Sequence, residues 1–129
     1  MTKPCIISVC IWCRSAGVER ENAEGKAMFG AVAKAAEGCS GIVVRPTQCL
    51  SVCNRVCTVS ISGEDKYTFL FGDLDPEKDA SAVVEMAEAC AAMDHGFVPW
   101  KERPECLRKG IIARVPPPGW SPDDGGAPA

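Results

Sequence analysis

Hydrophobic and polar positions along this chain follow two periods, and the switches between them outline its elements. Cys5-Ile6-Ile7-Ser8-Val9 is a short β-branched run bounded by Pro4, which predicts a first strand. Arg14 to Glu24 is polar and charged and contains Gly17, as a loop would. From about Asn22, Met28, Val32, Ala35 and Ala36 recur at three- and four-residue intervals with Phe29 beside them, predicting a helix. Gly38 is placed to end it as a left-handed cap. Gly41 to Arg45 is a continuous apolar run stopped by Pro46, and its lack of alternation predicts a strand covered on both faces. The three elements together have the length of a β-α-β crossover.

Val56 to Ser62 then alternates, with Val59 and Ile61 on one face and Ser60 and Ser62 on the other. Gly63-Glu64-Asp65 makes a turn, and Tyr67 to Phe71 returns as an aromatic-rich strand, so a β-hairpin is expected. Asp75-Pro76 predicts a helix start, a capping carboxylate followed by proline at the first helical position. Val83, Val84, Ala87 and Ala91 trace its apolar face to about Met93. Beyond Gly96 the prolines at 99, 104 and 116 to 118 predict an irregular segment. Pro122 to Ala129 is a Pro/Gly/Asp tail with too little apolar surface to order itself. The expectation is an α/β domain over residues 1–95, a mixed sheet of about four strands, and an irregular extension over 96–129.

At 129 residues the chain is one domain's worth. Its 47% hydrophobic and 24% charged residues are the balance of a soluble globular protein. A net charge of −3 advertises no basic surface, so nucleic acid is not the expected partner. Ile6 to Cys13 is apolar behind a single Lys3, but Arg14 ends it and no small-residue cleavage site follows. It is also too short to span a membrane, so a cytoplasmic protein with no membrane partner is expected.

Cysteine changes the picture. Nine are present, an odd count that fits a secreted disulfide scaffold poorly and a reducing compartment with metal ligation better. Five lie in two clusters: Cys10 and Cys13 as a C-x2-C pair after the first strand, and Cys49, Cys53 and Cys57 after the second. A C-x2-C turn lets two sulfurs point at one metal ion, and it recurs in zinc, iron–sulfur and thiol-redox sites. Loops at the carboxyl ends of neighbouring parallel strands emerge on one edge, where such sheets present functional groups. Cys5, Cys39 and Cys90 read as small buried hydrophobes, and Cys106 carries no role. His95 is the single histidine and reads as a surface residue after a helix end; a Rieske-type cluster would need two. Arg14, Arg45 and Arg55 flank the thiol loops, where positive charge would stabilise an anionic centre. No nucleophile elbow, phosphate-cradling loop or zinc-protease helix motif is present.

The order strand, helix, strand, C-x3-C loop, hairpin, helix, with leucine after the first cysteine of Cys49-Leu50-Ser51-Val52-Cys53, resembles the thioredoxin-like [2Fe–2S] ferredoxins. It is similar also to the small cluster-bearing subunit of respiratory NADH dehydrogenases. The likeness covers about residues 5 to 93. Arg45-Pro46, Lys66-Tyr67, Gly72 to Pro76 and the segment Gly96 to Pro117 further resemble a bacterial family of small predicted metal-binding proteins of unassigned function. Members of that family are often encoded near cobalamin-biosynthesis genes. The resemblance implies a non-enzymatic electron-transfer protein with one [2Fe–2S] cluster on Cys10, Cys13, Cys49 and Cys53, serving a redox partner protein in cobalamin or metal metabolism. It leaves a homodimer open. These ferredoxins carry their second cysteine near the start of the first helix, where Asn22 to Gly25 offers none, so Cys13 supplies that ligand or Cys57 replaces it. Two other readings share the thiols: a zinc or metallochaperone module, and a thioredoxin-like oxidoreductase using Cys10 and Cys13 as a redox dithiol.

Overall fold

The predicted order of strand, helix, strand, hairpin and helix is the observed one, carried on a single mixed sheet. The computed structural model describes residues 4–52 and 54–119. Strand β1 (Cys5–Cys10) pairs in parallel with β2 (Ile42–Thr47) and antiparallel with β3 (Val59–Ser62). Strand β4 (Thr68–Phe71) continues beside β3, and β5 (Ile111–Val115) beside β4, giving the order β2-β1-β3-β4-β5. Helices α1 (Glu24–Ala35) and α2 (Ala80–Ala91) pack on each other and both cover β1 and β2, so they share one face of the sheet. Met28 and Val32 of α1 and Val83 and Ala87 of α2 are fully buried there, as the helical spacing requires. The sheet contributes Ile7, Val9, Val59, Ile61, Phe69 and Phe71 to the same core. Each such side chain stabilises the fold by roughly 1.5–3 kcal/mol.

Two expectations are corrected. Strand β2 is not covered on both faces: it lies at the edge, its residues alternate in burial, and Val43 is 50% exposed. It also runs through Pro46 rather than stopping before it. The Cys5 N–H donates to the Gly41 carbonyl (2.9 Å) and the Ile11 N–H to the Thr47 carbonyl (2.8 Å). The odd-numbered positions of β2 therefore face β1, and the missing N–H of Pro46 falls on the free edge, where no ladder bond is lost. The segment beyond Gly96 is not irregular either. It holds a 3-10 turn (Trp100–Glu102), a short helix α3 (Glu105–Lys109) and β5, which raises the strand count to five. Pro104 stands just before α3 and Pro116 just after β5, so these prolines bound elements instead of breaking them. Val98 and Leu107 from this segment reach the core. The Pro122–Ala129 tail lies outside the described residues.

A third expectation is corrected: Asp75 does not cap α2, which starts about one turn later than Asp75-Pro76 predicts, and Asp75 instead closes the turn before it. Its Oδ1 accepts the Glu77 N–H (2.8 Å), Asp79 Oδ2 accepts the Asp75 N–H (2.7 Å), and α2 begins at Ala80. The far end of α2 is closed from the hairpin. Lys66, 2% exposed, turns inward and its Nζ donates to the carbonyls of Cys90 (3.2 Å), Ala91 (3.4 Å) and Met93. The Cys90 and Met93 carbonyls also accept the N–H groups of Met93 (3.2 Å) and Gly96 (3.3 Å), so the ammonium adds a charged donor to a helix end that the backbone satisfies only in part. Among the described residues, no helix is long and apolar enough to cross a membrane.

Candidate metal centre

Cys10 ends β1 and is held on both sides of the strand. Its N–H donates to the Thr58 carbonyl (3.1 Å), and the next residue bonds to Thr47 across the parallel pair. The chain then turns, with the Cys13 N–H donating to the Cys10 carbonyl at 3.4 Å. This C-x2-C turn is pressed against the first turn of α1. The Gly25 N–H donates to the Cys13 carbonyl (2.8 Å), and a Cβ on Gly25 would stand 1.9 Å from the Cys10 carbonyl oxygen and 3.1 Å from the Cys13 nitrogen. Glycine is needed here for close approach rather than for an unusual dihedral.

The turn brings its two sulfurs together. Cys10 and Cys13 are each 3% exposed, and their thiols lie side by side. Cys13 Sγ also donates to Thr58 Oγ1 at 3.3 Å. Cys10 Sγ reaches the Gln48 carbonyl at 3.6 Å, which ties the first thiol cluster to the start of the second. Burial pushes the Cys13 thiol up to about 11, with the Thr58 hydrogen bond acting in the opposite direction.

Cys49, next to Gln48, is exposed and lines a groove of about 380 Å³ together with Arg14 and Arg20. The Ser51 N–H donates to Cys49 Sγ at 3.2 Å, with Ser51 at φ +64°. Cys53 lies outside the described residues. Cys57 is 1% exposed and borders a different cavity, of about 560 Å³, with Glu24, Asp73, Asp75 and Glu77 around it. Burial first, and then the charges of Cys13, Glu24 and Asp75, push its thiol up to about 12. Among the described residues, no three His, Cys, Asp or Glu side chains form a group that could hold a metal ion. The structure brings Cys10 and Cys13 into contact and sets the Cys49 loop beside them.

The flanking arginines divide. Arg55 pairs with Asp73 (2.9 and 2.5 Å), and Arg45 Nε donates to Ser8 Oγ at 2.8 Å on the neighbouring strand. Arg14 lines the groove beside Cys49, joined by Arg20, whose guanidinium lies 4.2 Å over the Trp12 ring. Arg20 and Thr58 were not singled out by the sequence, because nothing local distinguishes them from any loop arginine or strand-edge threonine. Cys5 and Cys90 are buried core residues that hydrogen-bond each other, and Cys39 and Cys106 pack half-buried against the core. His95 is exposed on the turn after α2, its carbonyl accepting the Tyr67 N–H at 2.8 Å.

A family model described as "Protein of unknown function (DUF1636)" matches residues 7–117. No curated protein matches the chain. A solved structure of a thioredoxin-like [2Fe-2S] ferredoxin from Aquifex aeolicus superimposes with a TM-score of 0.59 at 18% identity, covering 92% of this chain and 99% of that one. The 1.5 Å crystal structure of the wild-type ferredoxin from Aquifex aeolicus gives a TM-score of 0.53 at 17% identity, covering 86% and 98%. At such identities the likeness establishes the fold, which is thioredoxin-like α/β.

Proposed function

This chain belongs to the DUF1636 family, and we propose that it is an electron carrier holding one [2Fe–2S] cluster on Cys10, Cys13, Cys49 and Cys53. The observation that carries the proposal is the buried Cys10–Cys13 pair, with Cys10 Sγ donating to the carbonyl of Gln48, the residue before Cys49. The solved ferredoxins that share the fold bear such a cluster by name.

The donor set suits the group. Sulfur ligands select iron–sulfur clusters and other soft metals, and backbone N–H groups aimed at the sulfurs stabilise the anionic centre. The Ser51 N–H already points at Cys49 Sγ. When bound, the cluster supplies one-electron chemistry. The chain's own residues supply the rest: β1 and α1 hold Cys10 and Cys13 in a pocket shielded from water, while Cys49 stays at the surface. A partner protein would exchange the electron on that exposed side, beside Arg14 and Arg20. Cys57 is not a ligand in this proposal, because it borders the carboxylate-lined cavity rather than the groove that Cys49 borders. The redox-dithiol alternative asks for a lowered thiol pKa, whereas burial drives Cys13 the other way.

Iron and acid-labile sulfide assays with a visible absorption spectrum of anaerobically purified protein test the proposal. Two irons and two sulfides per chain are expected (the cluster's own stoichiometry). Single Cys→Ser changes at positions 10, 13, 49 and 53 should each lose the colour, and Cys57→Ala should keep it. A colourless protein with zinc and no sulfide would overturn the proposal.

A further inference from the structure

We infer that Thr58 is a positioning residue for the Cys13 sulfur, with a hydroxyl able to turn and donate to that sulfur once it is a thiolate. The inference rests on the cluster proposal above and deepens it. Thr58 is completely buried and touches both members of the C-x2-C pair. Its carbonyl accepts the Cys10 N–H at 3.1 Å, and its Oγ1 accepts from Cys13 Sγ at 3.3 Å. The same hydroxyl donates to the Arg55 carbonyl at 3.0 Å.

A ligating sulfur has lost its proton, so the bond from Cys13 to Thr58 Oγ1 cannot persist in its present sense. A threonine hydroxyl is both donor and acceptor, and its hydrogen rotates about a single bond. Turning toward Cys13 would normally orphan the acceptor it leaves. Here it does not, because the Arg55 carbonyl also accepts the Asp73 N–H at 3.1 Å. Water is a poor substitute donor, since Cys13 is 3% exposed and Thr58 not at all. An O–H facing a buried thiolate makes a charge-assisted hydrogen bond, stronger than its neutral counterpart. That bond favours whichever state carries more negative charge on the sulfur. For a cluster centre this is the reduced state, so Thr58 raises the reduction potential.

Thr58→Val keeps the shape and removes the hydroxyl, and Thr58→Ser keeps the hydroxyl. Both variants are purified with the cluster and titrated potentiometrically, with visible circular dichroism recorded in each redox state. Thr58→Val should shift the reduced-to-oxidised ratio about tenfold toward oxidised at fixed potential, about 59 mV for one electron. Thr58→Ser should stay near wild type. If the valine variant does not accumulate folded, Thr58→Ala against Thr58→Ser makes the same comparison. A cluster-bearing valine or alanine variant with unchanged potential and spectrum overturns the role of Thr58 while leaving the cluster proposal intact. Wild-type protein without iron and sulfide overturns the cluster proposal itself, and the inference with it.

Discussion

Replacing Gly25 by alanine sets helix propensity against close packing, and the structure says which wins. Alanine is favoured over glycine in a helix interior by about 1 kcal/mol, so propensity alone predicts stabilisation. Yet the new Cβ would stand 1.9 Å from the Cys10 carbonyl oxygen, far inside the 3.0 Å below which real Cβ contacts essentially never fall. The obstructing atoms are backbone on both sides, with the Cys10 carbonyl carbon at 3.0 Å and the Cys13 nitrogen at 3.1 Å, so no side chain can swing away. The turn or the helix must move. Overpacking of this kind costs about 1–3 kcal/mol. Movement also weakens the 2.8 Å bond from the Gly25 N–H to the Cys13 carbonyl, worth about 1 kcal/mol. Subtracting the propensity gain leaves a net loss of about 1–3 kcal/mol. For a domain of this size that lowers Tm by roughly 3–15 °C. The control is Gly30→Ala on the same helix, where a Cβ would have nothing within 4 Å. It should be neutral or stabilising by up to about 1 kcal/mol. Urea unfolding of the reduced, metal-free proteins measures both. Equal or greater stability of Gly25→Ala would refute the contact between α1 and the C-x2-C turn.

Further tests follow from burial. Lys66→Met should destabilise by about 1–3 kcal/mol in the same urea assay, because the carbonyls of Cys90, Ala91 and Met93 at the end of α2 lose the buried ammonium that donates to them. The metal-free protein should also weaken at alkaline pH. Cys13 and Cys57 sit at about 11 and about 12 when folded, above the ordinary 9.0. The folded state therefore holds protons that the unfolded state releases, so this contribution is whole below about pH 9 and is lost as the pH climbs to about 12. The slope is at most about 1.4 kcal/mol per pH unit for each thiol. Cys57→Ala should flatten the decline in a urea series across that range, and an unchanged slope would contradict the burial of Cys57.

What the sequence disclosed depended on how local each cause is. The helical spacing of Met28 and Val32 and the alternation through Val59 and Ile61 are short-range signals, and both elements formed where expected. Strand β2 misled because a run of Ile42-Val43-Val44 looks the same whether a strand is central or at an edge. Strand β5 was hidden by its neighbouring prolines, although Ile111 to Val115 lies between Gly110 and Pro116 as a strand often does. At the candidate centre, the C-x2-C pair was legible from spacing. Its dependence on Gly25 and Thr58 was not, because both contacts join segments distant in sequence. The Cys53 assignment lies outside the described residues.

Pro46 has a bearing on how molecules of this protein meet one another. The outer edge of β2 offers the N–H groups of Ile42 and Val44 to any strand that settles alongside, and at Pro46 that row of donors ends. An incoming strand can zip along an edge only while donors and acceptors continue. Cys49 lies three residues beyond the break. A strand settling along this edge therefore loses its donor at Pro46, before the pairing reaches the thiol-bearing loop.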